Sequence, residues 1–303
     1  RLFRSPRRRR EEIHKLEAWC REQGLTVILT AKLWPGQASL GEYDYLEFMV
    51  DCMIRLDHRV EQQVSTRRLR VTKFRGSTHS TNEHPYVITH DGVVLMPVTS
   101  MTLAERPPGE FVTSGIGELD TALGGGYRQS ASVLIGGPAG SGKTSLACIC
   151  TAGACERGER VLYVTLEEGA GSLVSTMKSL GLHLQAHLDS GKLEVLPIMP
   201  ESAGSEEHLL RIYRAMAELE PCYVVLDALS AVPRMGTPAN SFEFILRLHA
   251  HCKSTGPTLI VAAYATGVDG GTDPTRGLAV SSVFDTIVLL GYARFRQEIF
   301  RTL

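Results

Sequence analysis

The sequence predicts an α/β fold with a mainly parallel sheet flanked by helices. Two observations carry this, and a third suggests that the unit is duplicated. First, from residue 113 onward short apolar runs alternate with amphipathic stretches, which places helices on both faces of a parallel sheet. Second, GPAGSGKT (137–144) stands between an apolar run and a helical pattern, as G-x-x-x-x-G-K-[ST] does in a phosphate-binding loop. Third, the end of the chain repeats the order of its beginning. An offset of 234 residues carries Asp51 onto Asp285, Leu56 onto Leu290 and Leu69 onto Leu303 without a gap, and repeats of this size point to a tandem duplicated domain.

The chain has 303 residues, enough for one large domain or two. Net charge is −1, so composition makes no general case for nucleic acid or membrane. The charge is uneven: residues 1–112 hold 17 basic against 14 acidic side chains, and residues 113–303 hold 15 against 19. Seven cysteines, an odd number without C-x-x-C spacing, argue against a disulfide framework and a zinc site. Free thiols suit a reducing cytoplasm. No apolar run approaches the roughly 18 residues of a membrane span.

Taken in order, the elements begin with a helix over 7–22, where Ile13, Leu16, Trp19 and Cys20 have helical spacing. The arginines of RLFRSPRRRREE read as its solvated start rather than as a targeting tag. The chain opens on Arg1, not Met, which suggests a fragment. GLTVILTA (24–31) reads as a strand, WPGQASLGEYDY (34–45) as a loop, and VDCMIRLDH (50–58) and STRRLRVTKFRG (65–76) as strands. The turn-rich AERPPGEF (104–111) reads as part of a linker. The expected organisation is therefore 1–103, the C-terminal part of a first domain, then a linker at 104–112, then 113–303, most of a second domain. In the second domain SASVLIGG, RVLYVTLEE, KLEVLPI, CYVVLD and PTLIVAAYAT are strands. TSLACICTAGACERG and SEEHLLRIYRAMAELE are helices, and FDTIVLLGY is a further strand.

The glycines of the loop let backbone N–H groups turn toward phosphates, and the following helix adds its N-terminal dipole. The expected cradle is Ala139, Gly140, Ser141, Gly142, Lys143, Thr144 and Ser145. Lys143 would reach the β- and γ-phosphates of ATP, and Thr144 would hold Mg²⁺. A carboxylate ordering the magnesium is expected at the tip of a second strand, and Asp227, which ends CYVVLD, fits. The residue after it is Ala228, so the base must come from elsewhere. Glu167 and Glu168 close the strand that follows the loop's helix. A carboxylate there can activate a water for in-line attack. Glu167 also joins Thr144 and Asp227 in the expected magnesium set.

At this point the chain resembles the KaiC family of RecA-like ATPases. GIGELDTALGGGY (115–127), TLEEG (165–169), VVLDALSAV (224–232), LRVTKFRGSTH (69–79) and HPYVITHDG (84–92) carry the likeness, in the family's order. The resemblance implies a homo-hexameric ring with ATP at subunit interfaces. It also implies that Lys73 and Arg75 reach across to a neighbour's nucleotide, with Phe74, Ser77, His79 and Thr89 as further contacts. Leu180 falls where the family keeps an aromatic residue near adenine, a departure from the family's pattern. By the offset, the second copy's counterpart of Lys73 would be residue 307. Some family members phosphorylate themselves on adjacent hydroxyl residues, and here Ser281 and Ser282 stand at those positions. The first copy has Glu47 and Phe48 instead. The resemblance thus implies an ATPase with serine/threonine autokinase activity and signalling or clock partners. A DNA-dependent recombinase or helicase is the rival reading on the same fold. Its DNA loops should be basic, whereas ESAGSEE is acidic and TGVDGGTDPTRGL holds two Asp and one Arg. A third reading, a nucleotide-dependent scaffold without turnover, sits poorly with the glutamate pair.

Overall fold

The computed structural model describes residues 6–32, 44–61, 64–96, 109–265, 281–295 and 298–302. Side chains are not described for 6, 9, 61, 238, 239, 281, 294–295 and 298–301. The chain divides into two units, one of residues 1–57 and 68–83, the other of 58–67 and 84–303.

In the first unit α1 (Pro6–Glu22) forms as its spacing predicts. Its surface is laced by Arg7–Glu11, Lys15–Glu12 and Arg21–Glu17 pairs one turn apart, exposed pairs that support the helix only weakly. The predicted strand at 24–31 is not one. Residues 25–32 join no ladder, and Leu25, Val27, Ile28 and Leu29 are exposed. An apolar run becomes a strand only where a neighbour takes its N–H and C=O groups. Here the Leu25 N–H goes to the Cys20 carbonyl at the end of α1, and no described residue forms a ladder with the run. The loop at 34–45 lies outside the described residues except for its last two. A one-turn helix α2 (Leu46–Met49) then leads into β1 (Cys52–Glu61), which lies beside β2 (Val64–Phe74).

The second unit holds β3 (Glu83–Thr89) paired antiparallel with β4 (Gly92–Leu95). Residues 97–108, most of the expected linker, lie outside the described residues. Its last part is structured: β5 (Phe111–Val112) pairs with β6 (Tyr127–Arg128) beyond the short α3 (Gly117–Ala122). Then follow β7 (Ser132–Gly137), α4 (Lys143–Glu156), β8 (Val161–Thr165), α5 (Ala170–Ser179), α6 (Leu184–Asp189) and β9 (Leu193–Pro197). The chain continues through α7 (Ser205–Leu219), β10 (Tyr223–Asp227), α8 (Pro238–Thr255) and β11 (Thr258–Tyr264). It closes with β12 (Thr286–Leu289), β13 (Gly291–Phe295) and β14 (Glu298–Thr302). FDTIVLLGY is therefore two strands, broken at Leu290.

Six strands form one parallel sheet in the order β12-β7-β11-β10-β8-β9. Alternate residues point to opposite faces. Leu134, Leu162, Val164, Val224 and Leu226 meet α7 and α8 through Leu209, Ile212, Phe244 and Leu248. Val133, Ile135, Val161, Tyr163 and Val225 meet α4, α5 and α6 through Leu146, Ala147, Leu173 and Leu184. Both faces are covered, which is why these strands read as unbroken apolar runs.

The offset of 234 also appears in the elements. β1 starts at Cys52 and ends at Glu61, while β12 starts at Thr286 and β13 ends at Phe295; β2 starts at Val64 and β14 at Glu298. All seven cysteines are unbridged. Burial pushes the Cys148, Cys150 and Cys252 thiols up to about 12, so they stay protonated near neutrality. Among the described residues no helix is long and apolar enough to cross a membrane.

Three histidines of this unit bear on acid stability. Burial pushes His208, His249 and His251 below the ordinary imidazole value, against a carbonyl bond from His208 Nε2 to Pro200 at 3.1 Å. The unfolded chain takes up protons below about pH 6.5 that the folded chain refuses. Stabilisation by these groups is therefore present above that value and lost as pH falls toward the folded-state one. The thermal midpoint is expected to drop from pH 7 to pH 5, with a shallower drop in His208→Gln. Equal slopes in the two proteins would remove His208 from the effect.

Candidate functional site

In a parallel sheet the C-terminal strand ends share one edge, and register brings the expected residues there. Tyr264 pairs with Gly137, Ala263 with Gly136, and Asp227 with both Ala262 and Thr165. The edge thus presents the phosphate loop after β7, Asp227 at the tip of β10, and Glu167–Glu168 just past β8.

The loop turns on left-handed glycines, with φ 74° at Gly140 and 103° at Gly142, a conformation costly for residues with a Cβ. Gly142 caps α4, whose first-turn N–H groups, those of Lys143, Thr144 and Ser145 among them, have no intrahelical acceptor. Lys143 Nζ donates to the Pro138 carbonyl at 2.8 Å and lies 6.0 Å from the centre of the Tyr264 ring. Partial burial lowers the Lys143 pKa; the carboxylates of Asp227 and then Glu167 oppose this. Ser141 Oγ is buried without a partner among the described atoms. A cradle of free amides, an ammonium and an orphaned hydroxyl fits an anion of the size and charge of a polyphosphate.

Asp227 is 7% exposed and accepts a hydrogen bond from Tyr163 Oη at 2.7 Å. Burial first, and then the Asp227 charge, raise the Tyr163 phenol far above its usual value, so it remains a donor. Among the described residues no three His, Cys, Asp or Glu cluster as a metal site. Magnesium is ordinarily held by one or two carboxylates plus substrate phosphates, and Asp227 with the Thr144 hydroxyl offers that kind of set.

The two glutamates are not equivalent. Glu168 accepts from Ser172 Oγ at 2.8 Å, and its backbone is tied both ways to the Thr165 hydroxyl. Glu167 is exposed and acts electrostatically on Lys143. Arg234 steadies the backbone just before it, reaching the Leu166 carbonyl at 3.4 Å while paired with Glu201 at 3.0 Å. Leu180 ends α5 and is 58% exposed.

The residues ascribed to a neighbour's nucleotide have partners of their own. In the first unit Lys73 Nζ donates to the Glu47 carbonyl at 2.5 Å, and Arg75 donates to the Phe48 carbonyl at 2.7 Å. Both cations thus hold the last carbonyls of α2, where positive charge is favoured. Phe74 packs edge-on against His79 at 6.4 Å, and His79 Nε2 is buried without a partner among the described atoms. Ser77 Oγ donates to the Thr78 carbonyl at 3.2 Å. In the second unit Thr89 Oγ1 accepts from Asp91 N and donates to the Gly92 carbonyl, closing the β3–β4 turn.

Ser281 and Ser282 begin a 3₁₀ turn (Ser281–Val283), with Ser282 exposed. This turn precedes β12, whose Thr286 pairs with Val133 near the start of β7. The serines therefore lie at the sheet end opposite their own phosphate loop. At about 3.3 Å per residue, the run from Val133 to Gly137 alone separates them from it by about 13 Å. The stretch TGVDGGTDPTRGL lies outside the described residues.

Tyr163, Tyr292 and Arg234 escaped the sequence reading. For Tyr163 a signal existed, because a tyrosine inside an apolar strand needs a partner for its hydroxyl. For Arg234 and Tyr292 none did, since their partners are backbone carbonyls distant in sequence.

A strand, a glycine-rich loop and a helix carrying Lys143, on the same sheet edge as a strand-end aspartate and a glutamate just past that aspartate's neighbouring strand, define a RecA-like P-loop NTPase. Within that class a family model described as a KaiC ATPase matches residues 3–100 and 112–303. The chain belongs to the KaiC family. It is 33% identical over 290 residues to the circadian clock protein KaiC2 of Synechocystis sp., covering 95% of this chain and 51% of that protein. It is 31% identical over 295 residues to the circadian clock oscillator protein KaiC of Parathermosynechococcus lividus, covering 97% and 54%. Against the KaiC of Synechococcus elongatus it is 30% identical over 298 residues, covering 97% and 56%. The chain spans about half the length of the curated relatives it matches.

Proposed function

We propose that this protein is a magnesium-dependent ATPase of the cytoplasm, working as a homo-hexameric ring with ATP at its subunit interfaces, and that it phosphorylates itself on Ser281 or Ser282. One observation carries the ATPase reading: Lys143, Thr144, Asp227 and Glu167 converge on one edge of the sheet, close enough for both carboxylates to act on the lysine. The cradle binds the phosphates, and Lys143 offsets charge developing on them. Glu167 accepts the proton of the attacking water as the γ-phosphoryl leaves the β-phosphate oxygen. Magnesium, when bound, neutralises phosphate charge; Thr144 and Asp227 would hold it, with Glu167 beside them. Lys73 and Arg75 would exchange the α2 carbonyls for a neighbour's phosphates, with Phe74, Ser77, His79 and Thr89 framing that contact. The circadian-clock names of the relatives support a timing or signalling role with protein partners. Acidic candidate loops count against nucleic acid.

The position of Ser281 and Ser282, remote from their own phosphate loop, favours transfer between subunits. The serine oxygen bonds the γ-phosphorus of a neighbour's ATP, the bond to the β-phosphate oxygen breaks, and the hydroxyl proton passes to a carboxylate of that neighbour's site. Mixing Lys143→Ala subunits with Ser281→Ala/Ser282→Ala subunits and Mg·ATP should give phosphate on Ser281 or Ser282 of the lysine variant, read by phosphopeptide mass spectrometry. Unmodified serines in the mixture and in the unsubstituted protein would leave only the ATPase.

A further inference from the structure

The segment that joins β12 to β13 lies tightly on the phosphate loop. A Cβ on Gly136 would meet Leu289 Cδ2 at 2.9 Å, and one on Gly137 would meet the Leu290 carbonyl at 2.6 Å. A Cβ on Gly140 would meet Tyr292 Oη at 2.9 Å. Real Cβ atoms are essentially never found this close to other heavy atoms, so at Gly137 the backbone of this neighbour leaves no room for a side chain, and at Gly136 and Gly140 the Leu289 and Tyr292 side chains would have to shift. A backbone bond continues the contact, from Leu290 N to the Gly136 carbonyl at 2.8 Å. Tyr292 Oη then donates to the Ala139 carbonyl at 3.0 Å.

This last bond has a directional consequence. A loop that presents its N–H groups to phosphates must turn its carbonyls outward, and an outward carbonyl needs a partner. Pro138 has its partner within the loop, in Lys143. Ala139 takes its partner from β13. We propose that Leu289–Tyr292 is a clamp on the phosphate loop and that Tyr292 is its positioning residue, holding the Ala139 carbonyl outward so that the loop keeps nucleotide from leaving. The proposal rests on reading residues 137–145 as the nucleotide site. Tyr292 is 40% exposed, so the contact can open without unfolding the core beneath it.

The test is Tyr292→Phe, which keeps the ring and removes only the hydroxyl. A fluorescent ADP analogue, chased with unlabelled ADP in stopped flow, gives the dissociation rate. It should rise roughly three- to tenfold, the effect of one neutral hydrogen bond, while the association rate and the melting temperature of the nucleotide-free protein stay unchanged. An unaltered dissociation rate would overturn the clamp. So would a fall in melting temperature together with slower association, which would mark Tyr292 as a packing residue only. Lys143→Ala, run alongside, separates the two readings. If it binds the analogue as the unsubstituted protein does, the nucleotide site itself is misassigned; if it does not bind, the Tyr292 result stands on its own.

Discussion

Lys143→Ala is expected to abolish nucleotide binding. Among the described residues, Lys143 is the cation that extends from the first turn of α4 across the loop, and its ammonium rests on the Pro138 carbonyl 2.8 Å away. Moving that donor onto a phosphate oxygen exchanges a neutral acceptor for a charged one. Two unit charges about 4 Å apart at an effective dielectric near 20 interact by about 4 kcal/mol, which is about three powers of ten in affinity. The remaining amides and the α4 dipole do not replace a full charge. Titration of a fluorescent ATP analogue measures the loss. The same affinity in the alanine variant, with an unchanged far-ultraviolet circular dichroism spectrum, would sink the assignment of this loop. The side chain carries little of the fold, since its contacts are the Pro138 carbonyl and the Tyr264 ring.

Glu167→Gln should keep ATP bound and slow its hydrolysis by about 10²–10⁴-fold, the usual cost of losing a general base. An amide has nearly the shape of the carboxylate but accepts no proton at neutral pH. Glu168→Gln is expected to cost much less turnover, because its carboxylate already serves Ser172 at the start of α5. Steady-state phosphate release together with analogue binding distinguishes the cases. A larger loss in Glu168→Gln than in Glu167→Gln would reverse the roles. The sequence leaves this pair unranked, as two adjacent glutamates at a strand end are equivalent in one dimension. They are separated by Ser172, one turn into α5, and by the Thr165 hydroxyl, which fixes the Glu168 backbone.

Other differences have the same origin. GLTVILTA has the composition of a strand, yet a strand exists only by pairing, and no described residue pairs with it. PTLIVAAYA has similar composition and lies between β7 and β10, bonded on both sides. Lys73 and Arg75 stand two apart on β2, which places both on one face from the sequence alone. That they hold the Glu47 and Phe48 carbonyls follows only once β1 folds beside β2 and brings α2 back to them.

By itself the sequence determined the parallel α/β class, the phosphate loop and its helix, the strand ending in Asp227, and the 234-residue repeat. All but the repeat are written in local spacing: apolar runs of strand length, glycines where backbone must turn, and a lysine one residue after the last of them. Only the tertiary structure decided which strands are neighbours, that Tyr163 and Tyr292 support the site, and that residues 281–282 lie at the sheet end opposite their own phosphate loop. Those relations depend on strand order and register, which join residues more than a hundred positions apart. Local spacing carries no record of them, because chain entropy and packing choose the sheet order only when the whole core is buried together.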